Sequence, residues 1–137
     1  MLVKDIMTQD FKLATPEMTL RQAAQLMRDG SFGYLPVGNN DRLTGAVTDR
    51  DIVVRGLAEG LGPDATIDEV LSETILYCFE DDEVAEAADI MKLEQVRRLA
   101  VLSANKRIIG IISLGDIARI TDDKRLTGDI ETQVAQS

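Results

Sequence analysis

Gly45-Ala-Val-Thr-Asp-Arg-Asp51 and Gly110-Ile-Ile-Ser-Leu-Gly-Asp116 are two wordings of one phrase. Each runs from a glycine through two apolar residues to a hydroxyl residue, Thr48 or Ser113, and ends on an aspartate three positions later. The apolar pair closes a predicted strand, and the hydroxyl opens a predicted helix. A turn repeated at such long range implies that the units around it are repeated too.

The likeness extends in both directions. At the same offset Asn40, Arg42 and Ile52 meet Asn105, Arg107 and Ile117. Upstream of a predicted turn the offset drops by one residue. There Leu35 and Val37 fall on Leu99 and Val101, Ala23, Ala24 and Met27 on Ala87, Ala88 and Met91, and Val3-Lys-Asp-Ile-Met-Thr8 on Ile67-Asp-Glu-Val-Leu-Ser72. The chain is therefore an internal duplication, with copies expected at 1–62 and 63–120 and a polar tail or short helix at 121–137.

Each copy reads alike. Leu20, Ala23, Ala24 and Met27 follow the one-sided spacing of an amphipathic helix, capped by Thr19 with Gln22 and stopped by Asp29-Gly30. Val84, Ala87, Ala88 and Met91 repeat the stripe. Two short apolar runs then form a hairpin, Tyr34–Val37 with Leu43–Thr48 and Leu99–Leu102 with Ile108–Ser113. Pro36 argues against a ladder partner on its own N–H side. A second helix follows, Asp49 to Glu59 and Leu114 to Ile120, and Gly60-Leu-Gly-Pro63 ends the first copy. Neither copy has enough apolar surface alone, so the expected fold is mixed α/β (α+β), two small sheets facing across a pseudo-twofold axis with helices outside. In the tail, Leu126, Ile130 and Val134 are spaced four apart.

Composition narrows the function. The 137 residues carry 45% hydrophobic and 28% charged residues, a globular balance, and a net charge of −9 that argues against a duplex nucleic-acid binder. No stretch has the length of a membrane span and no signal peptide is visible, so a cytoplasmic chain is expected. Cys78 is the one cysteine, which leaves no internal disulfide and reads as a buried structural thiol. With no histidine, the usual general base and the commonest metal ligand are missing, and no nucleotide-triphosphate loop or nucleophile elbow is present. The expectation is a protein that is not an enzyme, holds no metal and requires no cofactor. The cluster Glu80-Asp-Asp-Glu83, at a turn opening a helix, is expected to complement the helix dipole.

Only the duplicated turns carry chemistry. Ser/Thr-x-x-Asp before an apolar run is a capping box, and that accounts for both without any ligand. The same geometry can serve a nucleotide. Unpaired N–H groups at a helix start suit phosphate, and an aspartate one turn in can take both hydroxyls of a ribose. Both readings stay open on the residues alone.

The duplicated Gly-h-h-Ser/Thr-x-x-Asp turns, with Thr48-Asp-Arg-Asp-Ile-Val-Val54 and Gln95-Val-Arg-Arg-Leu-Ala-Val101, resemble a tandem cystathionine-β-synthase (CBS) domain pair, or Bateman module, from Val3 to about Ile120. The resemblance implies β-α-β-β-α units with two clefts between them, binding an adenosine ligand (AMP, ADP, ATP, S-adenosylmethionine or NAD). In the first cleft it places Thr48 and Asp51 on ribose and phosphate, Leu13, Ala14, Tyr34, Leu35 and Pro36 around the base, and Arg50 on the phosphates. In the second it places Ser113 and Asp116, then Tyr77, Cys78, Leu99 and Ala100, with Arg97 and Arg98. Gly115 stands where the first copy has Arg50, and Ala100 where it has Pro36, so the clefts are expected to differ and the first is the better site. The implied role is a ligand sensor acting on a separate effector protein, as a homodimer, without a membrane partner. The competing role is a structural, protein-interaction CBS dimer whose clefts bind nothing.

Overall fold

In a computed structural model the chain is described over residues 1–72 and 75–120, so the tail with Leu126, Ile130 and Val134 lies outside the described residues. The chain divides into two compact units. One is Lys12–Ile75, and the other joins Met1–Phe11 to the chain from Leu76 onward. These units cut across the copies expected at 1–62 and 63–120.

In the first unit, α1 (Leu20–Gly30) begins at a capping box. Thr19 Oγ1 accepts the Gln22 N–H at 3.1 Å, and the Gln22 side chain accepts the Thr19 N–H at 3.0 Å. The helix stops at Gly30 as expected, and the left-handed residue that caps it is Ser31, at φ 57°. Gly30 serves a different need, because a Cβ there would stand 2.3 Å from the Phe32 ring. Leu20, Ala23 and Met27 are buried while Ala24 is exposed, so the apolar stripe is narrower than the spacing suggested. β1 (Tyr34–Asn39) and β2 (Arg42–Thr48) form an antiparallel hairpin. The helix after it starts as one α-turn, α2 (Asp49–Asp51), widens to π winding over Ile52–Gly56 and tightens to 3-10 over Leu57–Glu59. The regular helix expected from Asp49 to Glu59 is thus an irregular one. Leu35, Val37, Val47, Ile52, Ile67 and Val70 join the α1 stripe in one aliphatic core.

The second unit repeats the plan with β3 (Tyr77–Phe79), α3 (Val84–Glu94), the hairpin β4 (Arg98–Leu102) with β5 (Ile108–Ser113), and α4 (Leu114–Ile120). Here all four stripe residues, Val84, Ala87, Ala88 and Met91, are buried. They pack with Val3, Ile6, Cys78, Leu99, Val101, Ile112, Leu114 and Ile117. Burying each large aliphatic side chain contributes about 1.5–3 kcal/mol, which makes these two cores the main source of stability.

The one-residue change in offset has its origin in the hairpin turns. Asn40 and Asp41 are both left-handed, at φ 47° and 70°, in a two-residue turn whose twist matches the strands. In the second hairpin the Ser103 N–H donates to the Arg107 carbonyl at 2.8 Å and the Lys106 N–H to the Ser103 carbonyl at 2.8 Å. With Lys106 at φ 64°, this is a three-residue loop ending in a left-handed residue.

Each unit is completed by the leading segment of the opposite copy. Val3 and Lys4 donate their N–H groups to the Asp82 and Glu80 carbonyls, and the Val84 N–H donates to the Met1 carbonyl. In the first unit Ile67 and Asp68 donate in the same way to Met18 and Pro16, and the Leu20 N–H to the Ala65 carbonyl. Thr8 then pairs with Ile111 beside β5, and Ser72 with Ala46 beside β2. The acidic run Glu80-Asp-Asp-Glu83, expected to serve the helix dipole, leads into α3 with Glu83 at its N-cap and also ties down the N-terminal segment. Asp81 holds Lys4 at 3.0 Å and Glu83 holds the Met1 ammonium at 3.2 Å. The Asp81 partner also raises the Lys4 pKa above its ordinary value.

Pro36 explains a difference between the two sheets. β3 pairs in parallel with β4, including Tyr77 with Ala100. In the first unit the matching segment makes a single bridge, Ala14 with Val37. There the Ala14 N–H donates to the Pro36 carbonyl and the Gly38 N–H to the Ala14 carbonyl, both at 2.9 Å. N–H and C=O of one strand residue point the same way, so the donor that Pro36 lacks is the one that would extend this ladder.

Candidate functional site

The sites begin where β2 and β5 run into helices. Both turns form reciprocal capping boxes. Thr48 Oγ1 accepts the Asp51 N–H at 3.1 Å, and Asp51 Oδ2 accepts the Thr48 N–H at 2.9 Å. In the second unit Ser113 Oγ accepts the Asp116 N–H at 3.0 Å, and Asp116 Oδ2 accepts the Ser113 N–H at 2.9 Å. The neighbouring strand locks each turn from the side. Asp49 donates its N–H to the Gly33 carbonyl at 3.0 Å, and Leu114 to the Arg97 carbonyl at 2.9 Å. These backbone bonds and the capping boxes together fix each aspartate in place.

The antiparallel register brings further residues to each turn. Tyr34 lies directly across from Thr48, and Arg98 directly across from Ser113, at the distance of cross-strand neighbours. Arg98 is half-buried, whereas Arg97 and Arg50 are exposed. Side chains one position apart on a strand face opposite ways, which separates Arg97 from Arg98.

The residues expected around a base divide by the same alternation. Leu35 and Leu99 are fully buried in the two aliphatic cores, as are Ala14 and Cys78. Their side chains are committed to packing, so at a site they offer backbone only. Tyr34 and Pro36 share the face of β1 opposite Leu35, and Arg98 and Ala100 share the corresponding face of β4. Leu13 is half-buried and Tyr77 exposed. The Tyr77 ring meets Phe79 edge to face with centroids 5.5 Å apart. Burial pushes the Cys78 thiol up to about 12, with the Asp82 charge adding to the shift, so it stays protonated at neutral pH.

Two arginines not singled out from the sequence approach the aspartates. Arg119 Nη2 donates to Asp116 Oδ1 from three positions along α4. Arg55 Nη1 stands 4.0 Å from Asp51 Oδ1 from four positions along. Both are intrahelical charge pairs whose spacing is readable once the helices are assigned.

The motif glycines have a structural cause. A Cβ on Gly45 would stand 2.7 Å from the Ser72 carbonyl oxygen, and one on Gly110 2.7 Å from the Met7 sulfur and 3.0 Å from the Thr8 carbonyl oxygen. They admit the segment arriving from the opposite copy.

Comparison with known proteins agrees with this architecture. The model of the CBS domain matches residues 3–57 and 67–123. Hypoxic response protein 1 of Mycobacterium tuberculosis is 42% identical over 85% of this chain and 82% of its own. A crystal structure of Hypoxic Response Protein I with two coordinated zinc ions superposes with a TM-score of 0.82 at 41% identity, covering 88% of this chain and 99% of that one. The CBS domain pair of protein MJ0100, solved with 5′-methylthioadenosine and S-adenosylmethionine, has a TM-score of 0.77 at 26% identity, covering 88% and 94%. The donors of the present chain do not fit a zinc site of the nitrogen–sulfur type. It has no histidine, its one thiol is buried and protonated, and the described residues hold no group of three metal-ligating side chains. No described helix is long and apolar enough to cross a membrane. Two matched domains over nearly the whole described length, with a close relative of the same layout, show that the chain belongs to the CBS-domain family as a tandem pair.

Proposed function

We propose that this CBS pair is a regulatory module that binds an adenosine ligand at Thr48 and Asp51 and signals its occupancy to a separate protein. The observation that carries the reading is the state of the Asp51 carboxylate. One oxygen is spent on the cap, while the other accepts no hydrogen bond among the described residues and has the Arg55 guanidinium 4.0 Å away, and the side chain is 18% exposed. A fixed, half-open carboxylate beside a hydroxyl suits the paired hydroxyls of a ribose. Exposed Arg50 is the group that meets phosphate. The adenosine compounds bound by the MJ0100 pair support the ligand class.

Calorimetric titration with AMP, ADP, ATP, S-adenosylmethionine and NAD tests the proposal. At least one should give heat, and Asp51→Ala should abolish it at a stability cost of about 1 kcal/mol, that of a lost cap. Silence from all five up to millimolar concentration refutes it.

A second reading has its own support. Capping boxes account for Thr48, Asp51, Ser113 and Asp116 in full, which is what an interaction scaffold without ligands needs. Either role fits a homodimer. Val53, Val54 and Leu57 stand exposed on the helix after β2, an apolar surface that a second copy would cover. Sedimentation showing a monomer at high concentration would dismiss the dimer.

A further inference from the structure

Asp51 and Asp116 use one carboxylate oxygen on the same capping bond and differ in the other. In the second unit Arg119 Nη2 donates to Asp116 Oδ1, and the aspartate side chain is only 5% exposed. In the first, Arg55 stops at 4.0 Å from Asp51 Oδ1. The cause is a shift of register. By the alignment of the copies Arg119 matches Val54, and Arg55 matches Ile120, so these two arginines stand one position apart in their copies. Regular α winding in α4 brings position i+3 onto the carboxylate. The π-wound turn that carries Arg55 is wider and leaves its guanidinium short.

We propose that Arg119 is an internal competitor that closes the second site: from within the chain it occupies the carboxylate oxygen that a ribose would need. The chain then takes one nucleotide, at Asp51. This rests on the reading of the two aspartates as ribose partners. A guanidinium makes a charge-assisted bond stronger than that of a neutral hydroxyl, and it is tethered three residues away. A ribose arriving at Asp116 must displace it. The Arg119 side chain is 69% exposed, so it contributes little to the core and can be removed without loss of packing.

The test is calorimetric stoichiometry with AMP and with S-adenosylmethionine as probes. The wild type should bind one molecule per chain, and Arg119→Ala and Arg119→Gln should bind two. Arg119→Lys, which keeps a tethered cation, should stay at one. Asp51→Ala should bind none, and the Asp51→Ala/Arg119→Ala double variant one, now at Asp116. Two sites in the wild type, no second site in either neutral variant, or undiminished binding by Asp51→Ala would each overturn the competitor. Silence from the wild type and every variant would instead remove the nucleotide reading itself. Circular-dichroism melts matching the wild type for the Arg119 variants confirm that stoichiometry, and not folding, is being read.

Discussion

The carbonyl oxygen of Ser72 lies 2.7 Å from the point where a Cβ on Gly45 would stand. Ser72 belongs to the leading segment of the second copy and Gly45 to the hairpin of the first, and the two chain stretches bond through Ala46. The glycine that opens the motif is therefore explained by packing of the exchanged segment.

Gly45→Ala should cost about 1–3 kcal/mol, because the opposing atom is backbone and cannot swing aside. Gly62 has nothing within 4 Å of a Cβ, and Gly62→Ala should be neutral or slightly stabilising. Urea unfolding of the two variants side by side checks the contrast. Equal midpoints would show that the segment does not press on Gly45.

Val3 is fully buried in the core of the second unit. Val3→Ala should cost on the order of 2 kcal/mol and loosen β4 and β5, although the residue opens the first copy. Amide hydrogen exchange locates the effect. Faster exchange in β1 and β2, with β4 and β5 unchanged, would mean that the segments are not exchanged.

Much of this was legible in the sequence, and the reasons are specific. Helix stripes, the Thr19–Gln22 cap and both Ser/Thr-x-x-Asp caps are local patterns, and apart from exposed Ala24 they appear where the spacing placed them. The docking of Val3 and Ile67 was not legible. An amphipathic segment advertises that it must be buried, but it does not say against which of two nearly identical hairpins. Leu35 and Leu99 were expected around a base, yet the period of two along their strands turns them into the cores. Arg119 needed only the i, i+3 rule applied to Asp116, and the π winding that keeps Arg55 away has no evident signature in Ile52–Gly56.

The parallel ladder offers another test. Ala100→Pro removes a donor beside Tyr77, where Pro36 already lacks one in the first unit. The substitution should destabilise the second unit by about 2–3 kcal/mol and release protection at Tyr77 to Phe79. An unchanged melting temperature would show that this ladder contributes nothing.

Cys78 makes stability depend on alkaline pH. Its ordinary pKa of 9.0 is pushed up to about 12 in the fold by burial and then by Asp82. The unfolded thiol ionises first, so unfolding is favoured as pH rises above 9, and the stabilisation is fully present below that. Cys78→Ala should flatten the fall in stability between pH 9 and 11 while costing packing at pH 7. A thiol reagent at pH 8 should label the wild type only as it unfolds. Rapid labelling of the native protein would contradict the burial.

The exchange of leading segments also sets an order for biosynthesis. Everything the first unit needs, from Lys12 to Ser72, is synthesised before the second hairpin. Residues 1–11 are made before that unit, yet Thr8 has no partner until Ile111 has been made. A released chain ending near residue 90 should therefore resist protease across its first hairpin and be cut readily within residues 1–11. A stretch made before the first unit finds its place only after that unit is complete.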